Sequence, residues 1–248
     1  MNWLRTVRAE LRKLTSTKMP LAFVVVLVVI GAATAVAVAF GTDMDGSKTF
    51  ISTAVDQQSL MAFAGNALVI AGLFGAIAVA REYGHGTVVL TFLITPRRPQ
   101  GVLAQYAAAF VAGSVLGLVA AGVSAGSVAA GLTATDYGFM VSAADLTQVL
   151  AASTLAGGAG AVLGAGVGAF IRNTGGAVSA TILLLVILPP LAVQMVNETA
   201  RWVPSILANV VSGIDNVVGM GAAIAAIGIW ALVPAAIGLV AVSRRDVV

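Results

Sequence analysis

The stretch LAFVVVLVVIGAATAVAVAF (Leu21–Phe40) contains 20 residues and no charged side chain. A helix of that length rises about 30 Å, which is the thickness of the hydrocarbon core of a bilayer. The stretch is also longer than the apolar region of a cleavable signal peptide, which has roughly 7–15 residues. It therefore predicts a membrane-spanning helix that is retained.

The rest of the chain repeats this pattern. Of its 248 residues, 59% are hydrophobic and only 9% are charged, whereas soluble domains carry about 25% charged residues. The sequence predicts an all-α polytopic membrane protein with one domain over residues 1–248. Six spans are expected at about 20–40, 58–80, 102–131, 146–171, 176–197 and 217–242. The absence of cysteine from the sequence excludes disulfides, thiolate catalysis and cysteine-ligated metals.

The distribution of charge predicts the orientation of the spans. One side would hold 11 of the 13 basic residues. These are Arg5, Arg8, Arg12, Lys13, Lys18, Arg81, Arg97, Arg98, Arg172, Arg244 and Arg245. The positive-inside rule makes that side cytoplasmic, and an even number of spans then leaves both termini there. The basic residues thus fit membrane topology rather than nucleic-acid binding, and a plasma or inner membrane location is expected.

Small residues recur at four-residue spacing in the fourth span. The segment GGAGAVLGAGVGAF places Gly160, Gly164 and Gly168 on one helical face. The third span has similar pairs, Gly113 with Gly117 and Gly122 with Gly126. Such spacing allows helix backbones to approach closely in lipid. Packing within the chain is the favoured interpretation, and a dimer face is the alternative.

The fifth span and the segment after it are interrupted. Pro189 and Pro190 should bend or break the helix that contains them, because proline lacks a backbone N–H and its ring crowds the preceding turn. Residues 197–216 mix apolar and polar side chains around Trp202. That pattern predicts helical pieces at the outer interface, with a re-entrant arrangement.

Three apparent chemical motifs fail their structural requirements. GVSAG (Gly122–Gly126) matches a nucleophile elbow, but it lies inside an apolar helix, and the only histidine, His85, lies in a cytoplasmic loop. GTDMDGSKT (Gly41–Thr49) has an extra Ser47 and so departs from the phosphate-loop pattern. No cluster of metal ligands has a recognisable spacing. We expect no enzymatic activity, no metal and no cofactor in this chain.

The spans contain no clearly embedded ionisable group. Asp56 comes nearest, at the outer edge of the second span. Proton relays need ionisable groups within the membrane, so the sequence argues against a proton-coupled carrier. Sodium coupling through carbonyls and hydroxyls stays open. A stand-alone secondary transporter or channel is the alternative to a protein that receives its energy from a partner outside the membrane.

The loop AREYGHGTVVLTFLITPRRPQG (Ala80–Gly101) is the place where such a partner would bind. Thr87 can begin a helix as its N-cap, Gly84 and Gly86 allow a bend before it, and Pro96 limits its end. The helix would present an apolar surface of about two turns formed by Val88, Val89, Phe92 and Leu93. Pattern alone leaves two alternatives equal, namely docking on a protein and lying on lipid.

A second amphipathic segment precedes the first span. In residues 1–19, the side chains of Trp3, Leu4, Val7, Leu11 and Leu14 fall near one helical face. The segment predicts an interfacial helix that binds anionic lipid through its basic residues. It can equally help to seat a cytoplasmic partner.

These cytoplasmic segments resemble those of ABC-2-type exporter permeases, the membrane subunits of ATP-binding-cassette transporters. The resemblance is carried by E-x2-K before the first span, E-x3-G-T-x8-P-x-R after the second, a short loop after the fourth, and a C-terminal R-D. The matching residues are Glu10, Lys13, Glu82, Gly86, Thr87, Pro96, Arg98, Arg172, Ala177, Arg245 and Asp246. The family often has a lysine soon after P-x-R, and Gln105 stands here instead. The phosphate or lipid contact of that lysine therefore does not carry over from the family to this position.

The resemblance implies that the loop between spans two and three holds a coupling helix. In the family, this helix docks on a separate ATP-binding subunit. The coupling residues would be Glu82, Gly86, Thr87, Val88, Val89, Phe92, Leu93, Pro96 and Arg98, with Glu10 and Lys13 on the interfacial helix. Two ATP-binding subunits, which hold ATP and Mg, would serve two permeases in a homodimer or heterodimer. The cargo expected from the apolar spans is hydrophobic or amphiphilic, such as a drug, an antibiotic or a lipid.

Overall fold

The computed structural model describes residues 3–43, 46–64, 66–84, 86–87 and 98–244, and this part of the chain is helical without strands. It contains six helices that are long and apolar enough to cross a membrane. Long uncharged runs produce this result because a helix satisfies all of its backbone hydrogen bonds internally, as hydrocarbon requires. The chain is a multi-pass membrane protein.

The described residues form ten α-helices and one π-helical segment. The helices are α1 Trp3–Thr15, α2 Met19–Phe40, α3 Ala54–Ala64, α4 Ala67–Gly84, α5 Arg98–Leu132, α6 Ala143–Ile171, α7 Thr174–Ile182, α8 Leu188–Met195, α9 Pro204–Val211 and α10 Met220–Arg244. Helices α3 and α4 together form the second span, and α7 and α8 with the π-helical segment form the fifth. Short 3₁₀ helices cover Thr49–Ile51 and Asn197–Trp202.

Capping boxes set where two of the spans begin. The Thr53 backbone N–H donates to the Asp56 carboxylate over 3.0 Å, and the Asp56 N–H donates to the Thr53 hydroxyl over 3.2 Å. At the start of α6, the Asp145 N–H donates to the Ser142 hydroxyl, and that hydroxyl donates to the Asp145 carboxylate. Such pairs satisfy N–H groups that have no partner within the helix. The second and fourth spans therefore begin earlier than their apolar runs suggested.

Helix α6 occupies the centre of the bundle and is the most buried span. A Cβ atom added at Gly160, Gly164 or Gly168 would overlap α4 backbone near Leu68, Gly72 and Ala76, respectively. The residue numbers rise together on the two helices, so α4 and α6 run parallel. This glycine face therefore packs within the chain, against α4.

A second glycine contact joins α6 to α5. Gly113 faces Gly157 and Ala161, while Gly117 faces Ser153 and Gly157. Here the numbers run in opposite directions, so the two helices are antiparallel. Gly122 and Gly126, which share the same spacing, have no heavy atom within 4 Å of an added Cβ. Their spacing thus does not mark a helix contact in this chain.

The fifth span bends locally and continues past the proline pair. A π-helical turn covers Leu183–Ile187, in which the Leu188 N–H donates to the Leu183 carbonyl. Helix α8 then carries Pro189 and Pro190 near its start, where missing N–H groups are least costly. The wider turn before the prolines separates them from the carbonyls that their rings would otherwise crowd.

Glutamine side chains connect the loops at the end of the bundle that holds α9. Gln57 is fully buried; its amide donates to the carbonyls of Ile51 and Gly138 and accepts from the Met140 N–H. Gln58 donates to the Ser212 carbonyl over 2.8 Å, and Gln148 donates to the Val211 carbonyl over 3.2 Å. These bonds hold the C-terminal end of α9 against α3 and α6.

The α4–α6 contact leads to a first prediction. Gly164→Ala should destabilise the protein by about 1–3 kcal/mol, because its Cβ has no room beside the Gly72 carbonyl. Gly122→Ala, where the added Cβ meets open space, is the matched control and should be neutral or slightly stabilising. Melting temperatures of the two variants in detergent test this, and equal values would contradict the packing described.

Candidate functional site

Four polar side chains meet where α1, α4 and α5 come together, and we call them the Lys13 cluster: Glu10, Lys13, Glu82 and Gln105. The Lys13 ammonium lies 2.7 Å from Glu10 Oε2 and 3.0 Å from Glu82 Oε1. Gln105 Nε2 donates to Glu82 Oε2 over 2.7 Å. One lysine thus bridges two carboxylates, and the cluster joins the first helix to the end of the second span and the start of the third.

The cluster is partly buried, which sets its electrostatics. The side chains of Glu10 and Glu82 are 8% and 14% exposed, whereas that of Lys13 is 41% exposed. Burial raises the pKa of Glu10 above its ordinary value of 4.5, although neighbouring Lys13 acts in the opposite sense. Burial lowers the pKa of Lys13, but the two carboxylates outweigh this and leave that pKa above 10.5. The lysine therefore stays charged and holds two acids together.

Glu10 is an exception within the apolar stripe of α1. Its position follows Trp3 and Val7 and precedes Leu14 at helical spacing, yet it carries a carboxylate that is buried against the bundle. A buried carboxylate requires a cationic or hydrogen-bonding partner. An acid within an apolar stripe is therefore the sequence signal that could have predicted this site.

Helix α4 ends beside the cluster in a tight turn. The Gly86 N–H donates to the Tyr83 carbonyl, and Gly86 has a φ of +67°, which glycine adopts without strain. The Thr87 hydroxyl donates to the Glu82 carbonyl over 3.3 Å. In the described residues, Thr87 thus caps the end of α4. Its expected role as N-cap of the next helix concerns residues outside the described range.

The loop after the fourth span reaches the same end of the bundle. Arg172 ends α6 with a φ of 60°, and its guanidinium carbon lies 5.3 Å from the centre of the Tyr83 ring. A guanidinium at that distance makes a favourable cation–π contact. Ala177 is fully buried against Ala76 and Ala80 of α4. Three of the four segments that carry the family resemblance therefore lie together in space.

The sequence-predicted site residues are only partly brought together. Glu10, Lys13 and Glu82 form the cluster, and Gly86 and Thr87 lie in the adjoining turn. Outside the described residues lie His85, Val88, Val89, Phe92, Leu93, Pro96, Arg245 and Asp246. Arg98 begins α5. The structure pairs Glu82 with Lys13 of the first helix.

Sequence reasoning missed the contributions of Gln105 and Tyr83. In the sequence, Gln105 marks only a departure from the family pattern, yet its amide donates to the carboxylate that Lys13 pairs with. Tyr83 lies within the E-Y-G segment without a distinguishing pattern. An amide among apolar residues at the start of a span was a usable signal for Gln105. Nothing comparable marked Tyr83.

Polar side chains in two of the rejected chemical motifs make hydrogen bonds within the fold. The Ser124 hydroxyl donates to the Met61 carbonyl over 2.8 Å and is buried between α5 and α3. Asp43 accepts from the Thr49 backbone N–H and hydroxyl within a local turn. Among the described residues, no group of three histidine, aspartate or glutamate side chains is placed to hold a metal ion.

No protein-family model matches this sequence, and no curated protein sequence does either.

The bridging geometry predicts unequal effects of charge removal. Lys13→Met leaves two carboxylates facing each other and should lower stability, whereas Glu82→Gln leaves Lys13 paired with Glu10 and should cost less. The variant that combines Lys13→Met with Glu82→Gln should lose about 1 kcal/mol less stability than the sum of the two single losses. The difference is no larger because solvent partly screens the exposed lysine. A double-mutant cycle on melting in detergent measures this coupling. Lys18→Met, outside the cluster, is the control, and strict additivity would contradict the bridge.

The raised pKa of Glu10 predicts a pH dependence. The folded carboxyl keeps its proton to higher pH than the unfolded one, so the folded state binds more protons just above pH 4.5. Stability should consequently fall as pH rises through this window, and Glu10→Gln should remove that part of the fall. Melting curves across the window test this. Glu198→Gln, whose side chain is 82% exposed, is the matched control and should keep the wild-type profile.

Proposed function

We propose that this chain is the membrane-spanning subunit of an ABC-2-type exporter, in which a separate ATP-binding subunit drives the outward movement of a substrate. The Lys13 cluster is the observation that carries the proposal. It joins the amphipathic first helix to the two span ends that flank residues 88–97, the segment proposed as the coupling helix. A segment that receives force from a partner needs such an attachment to the spans.

The cluster supports the proposal through its connectivity. Residues Lys13 and Glu82 are 69 positions apart in the sequence, and Gln105 lies a further 23 positions along. Displacement of the loop between α4 and α5 would act on both helices at once, and through Lys13 on α1. Arg172 over Tyr83 adds the central helix α6 to the same group. Force entering at this loop would therefore reach four helices.

The proposed mechanism leaves the chemistry to the partner. ATP and Mg bind in two ATP-binding subunits, and their closure moves the coupling helices of two permease copies. Val88, Val89, Phe92 and Leu93 supply the apolar docking surface. Closure shifts the population between inward- and outward-facing arrangements of the spans. This chain supplies no catalytic group, and its role is to bind the partner and convert its motion.

The proposal places the protein in the plasma or inner membrane with both termini in the cytoplasm, on the basis of its charge distribution. A homodimer or heterodimer completes the transport pathway between two copies. The apolar spans suit a hydrophobic or amphiphilic cargo of the kind that multidrug exporters move. The same spans, without embedded ionisable groups, favour an external energy source over proton coupling.

Docking can be tested by affinity purification of the tagged chain from its native membrane. The wild type should retain an ABC-type ATP-binding subunit, identified by mass spectrometry. Phe92→Asp with Leu93→Asp should lose it, because two carboxylates would have to be desolvated in an apolar interface. Phe92→Leu with Leu93→Met keeps the surface apolar and should retain the subunit.

Two results would contradict the exporter proposal. One is retention of the ATP-binding subunit by the double aspartate variant at wild-type level. The other is robust energised transport by the purified chain alone in liposomes, which would indicate a stand-alone secondary transporter instead.

A further inference from the structure

A small polar cavity lies between the second span, the fourth span and α9. Its volume is about 120 Å³. Two amide and two hydroxyl side chains face it, those of Asn66, Ser153, Ser205 and Asn209. The remaining lining is formed by Leu68 and five alanines. Polar groups from three separate elements therefore converge on one space within an otherwise apolar bundle.

The cavity lies at membrane depth. Ser153 is ten residues from the start of α6 at Ala143, which corresponds to about 15 Å along the helix. The 29 residues of α6 rise about 43 Å, which exceeds the roughly 30 Å hydrocarbon core by about 6 Å at each end. Ser153 is thus about 9 Å inside the hydrocarbon region. Polar groups at that depth are costly unless they are hydrogen-bonded.

The polar side chains of the cavity have no hydrogen-bond partner among the described residues. Ser153 is 7% exposed, yet its hydroxyl makes no such bond. Asn209 is half-buried, and Asn66 and Ser205 lie at the exposed rim of the cavity. Neighbouring polar groups differ. Thr154, one position along α6, donates to the Leu150 carbonyl over 2.7 Å. The Ser153 hydroxyl thus lacks the bond within the helix that its neighbour makes.

The start of α4 adds donors to this space. The second span is interrupted between Ala64 and Ala67, and Ala67 and Leu68 both line the cavity. The first N–H groups of a helix have no partner within it. The cavity thus combines backbone donors with side chains that both donate and accept.

We propose that this cavity is a binding site for a neutral hydrogen-bonding group, a hydroxyl or an amide, of a small polyol-like ligand. Its lining contains no ionisable side chain, which disfavours ions and charged ligands. A cavity of about 120 Å³ has room for more than one water molecule. Glycerol is a ligand of suitable size and chemistry. The inference does not depend on the exporter proposal.

The absence of cysteine from the chain permits a direct test. Ser153→Cys and Asn209→Cys introduce single thiols into the cavity, and Ala165→Cys places one at a fully buried position of the same helix. Thiols react as hydrated thiolates. We expect the neutral reagent 2-hydroxyethyl methanethiosulfonate to modify either cavity cysteine at least about tenfold faster than Ala165→Cys. Melting temperatures verify that each variant is folded.

Protection by glycerol distinguishes a binding site from a wet cavity. Saturating glycerol should slow modification at Ala156→Cys, a lining position without a hydrogen-bonding side chain, at least twofold more than at Thr133→Cys, an exposed control that corrects for viscosity. Equal slowing at both positions would mean that the cavity holds water only, and would overturn the proposal. Modification of both cavity cysteines no faster than Ala165→Cys would show a closed, dry space and would overturn it as well.

Discussion

Backbone contact between helices is the constraint on which this bundle depends. In lipid, exclusion of apolar surface from water gives no driving force between helices, so close packing and a few hydrogen bonds must hold the spans together. Helix α6 meets this requirement on two sides, through Gly160, Gly164 and Gly168 against α4 and through Gly157 against α5. The remaining spans are arranged around this three-helix centre.

Polar links join the elements at both ends of that centre, and they differ in kind. At one end, the Lys13 cluster uses charge, with one ammonium shared by two carboxylates. At the other, Gln58 and Gln148 use neutral amides to hold backbone carbonyls at the end of α9. Charged links suit an end that solvent can partly screen, whereas neutral amides avoid the desolvation cost of charge. The proposed coupling site therefore lies at the charged end.

The sequence allowed the helical architecture to be predicted, since long uncharged runs such as Leu21–Phe40 have no other stable form in a bilayer. It did not predict the early start of the second span, because α3 begins with a capping box that lies outside the apolar run. The spacing of the glycines predicted the contacts between helices only in part. Gly164 and Gly122 have the same local pattern, but only Gly164 faces another helix, and that difference depends on tertiary packing.

The same limit applies to the candidate site. Motif positions at Glu10, Lys13 and Glu82 were identified, but their pairing joins residues 69 positions apart, and local patterns do not encode such a distance. Hydropathy also gave no indication of the polar cavity. Asn66, Ser153 and Asn209 come from separate segments, and each alone is an ordinary neutral residue within or beside an apolar run.

The four-residue period of the α4–α6 contact has a consequence for how these helices keep their alignment. Leu68, Gly72 and Ala76 meet Gly160, Gly164 and Gly168 at equal steps, and Ala80 continues the series on α4. A periodic surface matches itself again after one step, so the glycines specify the distance between the helices better than their axial register. Register must then be specified by non-repeating contacts at the ends, and Arg172 over Tyr83 is such a stop. The contact between Arg172 and Tyr83 thereby selects one axial register of α4 and α6 among several equally spaced ones.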